Sequence, residues 1–153
     1  MGEEWRKIYQ VKIIVDTNII FSGLLNTNST IGELLINQES TFEFYSCNYM
    51  HYEIQKHWEK LKKISKLNDV KLADAQFYLF SRLKFVNEDL IPASIWKSAL
   101  QLTTDIDIDD TDFVALSLYL NGYLWTGDKE LYSGLKNKGF ANVLNTSDLL
   151  NYR

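Results

Sequence analysis

The stretch from Asp105 to Asp128, D-I-D-I-D-D-T-D-F-V-A-L-S-L-Y-L-N-G-Y-L-W-T-G-D, sets a run of carboxylates before a helix that is apolar almost all round, then a Gly turn, a short strand and one more acid. A helix with Phe113, Val114, Ala115, Leu116, Leu118 and Leu120 on nearly every side has to be covered by other elements, so an interior helix is expected. Asp109, Asp110 or Asp112 falls at or near its first turn, where capping and the helix dipole favour a carboxylate. One acid meets that need. Asp105, Asp107, Asp109, Asp110 and Asp112 make five in eight residues, and their mutual repulsion calls for water, a cation or protonation.

Outward from this stretch, strands and helices alternate. Val11 to Val15 is a β-branched run broken only by Lys12 and closed by Asp16, the pattern of a buried strand. Thr17 to Leu25 reads as a short helix, and Ser29 or Thr30 caps a second one through Ile36. Thr41 to Cys47, aromatic and β-prone, is the second strand. Asn48 caps a long helix running to about Lys66, and Asp69 caps the next, which carries Leu72, Phe77, Leu79, Phe80 and Leu83; the two are expected to form a helical hairpin. Lys84 to Asn87 is a weak third strand. Pro92 suits a first helical position before Ile95 to Leu102. Tyr123 to Thr126 is a strand, Lys129 to Lys138 a helix stopped by Gly139, Val143 to Leu144 a last strand, and Ser147 and Asp148 begin a terminal helix. This alternation implies a three-layer α/β/α sandwich with a mainly parallel, Rossmann-like sheet, whose ligands gather at the carboxyl ends of the strands.

The 153 residues, with 46% of them hydrophobic, suit a single domain over 1–153 built on one packed core. A net charge of −4 argues against coating nucleic acid by charge alone, though not against a local basic track. The lone Cys47 excludes an internal disulfide and most cysteine-based metal sites. No secretory apolar region opens the chain, and no window approaches the roughly 18 apolar residues of a membrane helix. A soluble, cytoplasmic protein with no membrane contact is expected.

Asp16 and Asp128 come at or just after a strand's carboxyl end, so a parallel sheet places them on one edge. Asp110 opens a helix leading back from that edge. Glu53, about one and a half turns into the helix from Asn48, joins them if that helix packs beside the first strand. Four carboxylates offer the hard oxygen ligands that Mg²⁺ or Mn²⁺ prefers, and such a site performs phosphoryl transfer. Each acid also has a plainer role: Asp16 ending a strand, Asp110 or Asp128 capping a helix, Glu53 pairing with Lys56 or His57 across one turn. Their joint placement at one edge favours the site.

Four segments, I-I-V-D-T-N-I-I around Asp16, H-Y-E-I around Glu53, D-D-T-D-F-V-A-L-S-L around Asp110 and L-W-T-G-D-K-E-L around Asp128, resemble in order and spacing those of the PIN-domain family, metal-dependent ribonucleases that include VapC-type toxins. The resemblance implies Asp16, Glu53, Asp110 and Asp128 as the acidic quartet, with Asn18 and Thr126 as supporting polar groups. Asp110 is chosen because it stands five residues before Ala115, where the family pattern places its third acid. Asp112 is a further supporting acid that the motif does not demand, Asp107 or Asp109 is a further candidate acting through water, and which of Asp107, Asp109, Asp110 and Asp112 ligates the metal stays open at this point. The implied activity is metal-dependent endonucleolytic cleavage of single-stranded RNA with Mg²⁺ or Mn²⁺, as the toxin of a toxin–antitoxin pair with an antitoxin protein as partner. The lead-in before Asp16 is longer than the family usually shows.

From Lys56 to Lys66 stand Lys56, Lys60, Lys62, Lys63 and Lys66 against Glu59 alone, with Trp58 among them. Backbone phosphates can follow such a row, Lys56, Lys60 and Lys63 above all, and an unpaired base can stack on the indole; a solvated helix face has the same composition. His51 and His57 lack the i, i+4 spacing of a zinc helix. The hairpin from Asn48 to Leu83, with Tyr78 and Phe80, carries more apolar surface than a small sheet covers, so a homodimer is expected. Two other readings compete. A phosphotransfer domain with Asp16 as phosphoacceptor wants a second acid two residues on, where Asn18 stands. A non-catalytic module that binds RNA or protein would have no reason to keep all four acids.

Overall fold

The computed structural model describes residues 10–26, 29–37 and 41–152; most of the lead-in lies outside them. Five strands form one fully parallel sheet: β1 (Val11–Val15), β2 (Phe42–Cys47), β3 (Lys84–Val86), β4 (Tyr123–Trp125) and β5 (Val143–Leu144), in the order β3-β2-β1-β4-β5. Ile13, Ile14 and Val15 on the central β1 are wholly buried, as a strand covered on both faces requires. Val15 lies opposite Trp125 of β4, so the residues that leave β1 and β4 emerge side by side.

Helices α1 (Thr17–Leu25), α2 (Thr30–Asn37), α3 (Tyr49–Lys56), α4 (Trp58–Ser65), α5 (Asp69–Phe80), α6 (Ala93–Thr103), α7 (Thr111–Leu120), α8 (Lys129–Asn137) and α9 (Thr146–Leu150) complete the three-layer α/β/α fold among the described residues. α7 lies across β1, β2 and β4 with α6 packed on it, while α1 packs against α2, α3, α4 and α5. The expected interior helix is α7, where Phe113 to Ser117 are all buried. It ends at Asn121 in the left-handed region (φ 53°), and β4 then starts so close to β1 that a Cβ on Gly122 would meet the Lys12 carbonyl oxygen at 2.8 Å. No single described helix is long and apolar enough to cross a membrane. The bent pair α1–α2 passes on composition alone, and its Ile19, Ile20, Leu24 and Leu35 are spent on the core.

Several boundaries differ from expectation. The long helix from Asn48 to Lys66 is two helices, α3 and α4, separated at His57 (φ −103°, ψ 14°). Asn68, not Asp69, caps α5, accepting from Lys71 N at 2.9 Å. Pro92 is the residue before α6 rather than its first. Asn145 caps α9 in a reciprocal box with Asp148, so that helix begins at Thr146 rather than at Ser147. In the last three cases an Asn or Pro one residue before the helix holds the extended backbone that a cap requires.

Candidate active site

Two acids are placed by the sheet. Asp16 is the first residue after β1, held by its N–H to the Trp125 carbonyl at 3.2 Å, and it caps α1 by accepting from Ile19 N through Oδ1. Its other oxygen, Oδ2, is buried without a hydrogen-bond partner. Thr126 leaves β4 alongside, fully buried, and its Oγ1 accepts from Asp128 N at 3.0 Å. Asp128 in turn caps α8, with Oδ1 accepting from Glu130 N at 2.9 Å and Leu131 N at 3.2 Å. All three stand where β1 and β4 diverge to opposite halves of the sheet order, the crevice in which parallel sheets bind ligands.

Asp110 and Glu53 come from helices. Asp110 ends a 3-10 turn (Ile108–Asp110) and stands at the cap position of α7, yet its side chain caps nothing. Asp107 caps that turn instead, and Thr111, bonded to the Ile108 carbonyl and to Thr103 Oγ1, secures the start of α7. Asp110 Oδ2 is left buried and unpartnered. Glu53, in the second turn of α3, receives the Thr17 hydroxyl at 2.5 Å and has no ion pair with Lys56 or His57. Thr17, next to Asp16, is a site neighbour that sequence reasoning missed.

The electrostatics tie these acids together. Burial pushes Asp16 up to about 7, helped by the charges of Asp128 and Glu53 and opposed by the nearby Thr126 hydroxyl and the Ile19 N–H. Burial and then the charges of Asp16, Asp107, Asp128 and Glu53 raise Asp110 to about 8. Glu53 is raised as well, by burial first and then by Asp109, Asp112 and Asp107, against the Thr17 bond. Four acidic side chains, two with an orphaned buried oxygen, suit a hard divalent cation, which would take up the unused lone pairs and remove the repulsion.

The other acids of the run are disposed of separately. Asp105 pairs with Lys138, whose Nζ also donates to the Gln101 and Leu102 carbonyls near the end of α6, and the ammonium holds Asp105 below the usual carboxylate range. Asp112 lies beside Glu88 and Cys47: one oxygen of each carboxylate and Cys47 Sγ lie within 4.8 Å of one another. Burial and the Glu88 carboxylate raise it to about 6. That trio, rather than any three of the quartet, is the one set of potential ligand atoms so close together among the described residues.

Asn18 is exposed on α1, where it lines a groove of about 350 Å³ with Phe21, His57, Lys60 and Ile64. Lys56, Lys60 and Lys63 are exposed, whereas Lys62 is held by Glu59 at 3.3 Å and Asp69 at 3.0 Å. The Trp58 indole donates to Asp69 at 2.8 Å and is partly buried against the core.

The family model described as PIN domain matches residues 14–148. No curated protein matches the chain. Among solved structures, VapBC2 from Rickettsia felis, crystallised with a DNA fragment from its promoter, is 17% identical, with a TM-score of 0.61 and coverage of 88% of this chain and 98% of that one. PAE2754 from Pyrobaculum aerophilum is 14% identical, with a TM-score of 0.60 and coverage of 92% and 93%. At such identities the likeness is one of fold, and it is the fold described above. With nearly the whole described sheet inside the matched span, the chain belongs to the PIN domain family.

Proposed function

We propose that the chain is a Mg²⁺- or Mn²⁺-dependent endoribonuclease that hydrolyses phosphodiester bonds of single-stranded RNA. The observation that carries this reading is the pair of orphaned buried oxygens, Asp16 Oδ2 and Asp110 Oδ2, in acids that burial and mutual charge push far above the carboxylate range. A group so costly to leave ionised marks a functional site. Asp16, Asp110 and Asp128 hold the cation, and Glu53 holds it directly or through water. When bound, the cation polarises the phosphodiester and makes water a nucleophile near neutral pH. Glu53, kept in place by Thr17, accepts a proton from the attacking water, whose oxygen bonds to phosphorus as the P–O bond to the leaving group breaks. Thr126 orients Asp16, and Asn18 and Lys56, Lys60 and Lys63 lie along the strand's approach. Asp112 acts on the site through its neighbours rather than as a ligand.

We also infer a cytoplasmic protein, the toxin of a toxin–antitoxin pair with an antitoxin protein as partner. The family and the likeness to VapBC2 support this, as does Cys47, buried and unpaired. A small antitoxin-like reading frame beside the gene is the expected observation.

The test of the activity is cleavage of labelled single-stranded RNA with Mn²⁺ and with chelator. Asp16→Asn and Asp128→Asn keep size and cap while removing charge, so each should lose about a hundredfold or more in rate, with circular dichroism unchanged. Variants that cut as well as the parent would show the site to be elsewhere; binding of RNA without cleavage by the parent would show a non-catalytic module.

A further inference from the structure

The start of α3 does not use the cap its own sequence offers. Asn48 has helical backbone angles (φ −64°, ψ −23°) and its side chain makes no capping bond. The free N–H groups are taken by Glu88, which lies 40 residues on in the 3-10 turn (Glu88–Leu90) after β3. Oε1 accepts from Asn48 N and Oε2 from Tyr49 N, both at 2.8 Å. Asp112 in the first turn of α7 and Cys47 Sγ lie near the same carboxylate, within 4.8 Å, with Asp112 a like charge that it repels. These three groups do not make an ion site. Both Glu88 oxygens are engaged by the helix, and burial pushes the Cys47 thiol up, which keeps it neutral.

What the Glu88 carboxylate joins is therefore the helix bearing Glu53 to the turn that follows β3. The geometry points to Glu88 as a positioning residue: it anchors the start of α3 to the turn after β3 and so sets where Glu53 stands at the edge that carries Asp110. This inference rests on the nuclease reading above. The Thr17 hydroxyl fixes the tip of the Glu53 side chain, but only Glu88 and packing fix the axis of the helix that carries it. Removing Glu88 leaves the first donors of a two-turn helix unpaired, and a small tilt of so short a helix moves a carboxylate in its second turn.

The experiment compares the parent with Glu88→Ala, Glu88→Gln, Glu53→Gln and the double variant Glu88→Ala/Glu53→Gln. Single-stranded RNA cleavage is followed against Mn²⁺ concentration, Mn²⁺ binding is read independently by electron paramagnetic resonance, and melting curves show that each protein is folded at the assay temperature. Glu88→Ala should lower kcat about tenfold, weaken Mn²⁺ binding and leave KM for RNA unchanged, the signature of lost transition-state alignment. Glu88→Gln, which keeps one acceptor, should fall between, and it carries the comparison if the alanine variant does not fold. The double variant should be no slower than Glu53→Gln alone, because Glu88 acts through Glu53. If Glu88→Ala lowers the melting point but leaves kcat and Mn²⁺ binding intact, or if the two losses multiply in the double variant, Glu88 is a helix cap only and the inference is overturned. A parent that neither cuts nor binds Mn²⁺ overturns the nuclease reading and this inference with it; an active parent with unaltered Glu88 variants overturns this inference alone.

Discussion

Asp16 and Asp110 show how one residue type is turned to different ends by its backbone setting. An Asp before a helix ordinarily spends an oxygen on the N–H groups of the first turn, and Asp16 and Asp128 both do so. Asp110 spends no oxygen on a cap: Asp107 caps the 3-10 turn, and the Thr111 hydroxyl donates back to the Ile108 carbonyl to hold the start of α7. That setting carries a stability cost with a definite pH sign. An unfolded carboxylate titrates near 3.8, whereas folded Asp16 and Asp110 titrate near 7 and 8. The folded state thus retains protons that the unfolded chain has given up between those limits. Their contribution is fully present below the unfolded value and is lost as pH rises through 7 to 8. Asp112, at about 6, and the raised Glu53 act in the same direction, while the lowered Asp69, Asp105 and Asp148 act only in the acid range. In chelator, the melting temperature should therefore fall between pH 5 and pH 8. At about 2–4 °C per kcal/mol for a chain of this size, the fall should amount to several degrees. Asp110→Asn should flatten that slope and raise the melting point at pH 8. Mn²⁺ at about 100 times its dissociation constant adds roughly 2.7 kcal/mol, and the variant should lose most of that increment. A slope and a metal response identical to the parent's would remove Asp110 from the site.

At the scale of elements, strands and helices were legible because their apolar periods are strong, and Asp16 and Asp128 were legible because a residue after a parallel strand has one place to go. The break at His57 was not. H-W-E contains no helix breaker, and the bend arises where the His57 ring meets Phe21 edge-on at 5.6 Å and both α3 and α4 stay packed on α1. Glu88 was equally hidden, since N-E-D reads as an ordinary turn and its partners lie 39 and 40 residues back, directly after β2. The same limit applied to α4, whose charge run showed the lysines but not their partners. Lys62 and Trp58 are tied to Asp69, while Lys60 and Lys63 are exposed. Lys60→Glu with Lys63→Glu should raise KM for RNA and cut the salt dependence of binding. For a single strand each lost phosphate contact is worth about 0.7 in the log–log slope, so the pair is worth about 1.4. Trp58→Ala should instead cost stability, about 2 kcal/mol for a half-buried indole, and leave the salt slope alone. A Trp58→Ala protein that keeps its melting point but binds RNA poorly would restore the indole as a stacking platform.

At the scale of the whole molecule, the sheet order collects acids from both halves of the chain at one edge, and the opposite problem arises on the α5 side. There the helix buries only Leu72 and Leu79, while Phe80 turns inward against His51 and Phe85. Val70 remains 69% exposed, Phe77 79% and Tyr78 46%, an apolar stripe that water meets at a cost. Val70, Ala73 and Phe77 follow helical spacing along one face, with the smallest side chain at the centre. Two copies of α5 crossing antiparallel about a two-fold axis at Ala73 would set each Val70 against the partner's Phe77, a self-complementary match that needs no second kind of surface. The chain is therefore expected to pair with itself through α5. Light scattering across a wide concentration range should give twice the 17.9 kDa chain mass. Phe77→Asp should return a monomer whose melting point no longer depends on concentration, and cleavage per folded chain should persist, because the quartet lies within one copy. A parent that stays monomeric throughout, or a Phe77→Asp variant that still dimerises, would place the contact elsewhere and leave the α5 stripe to a different partner.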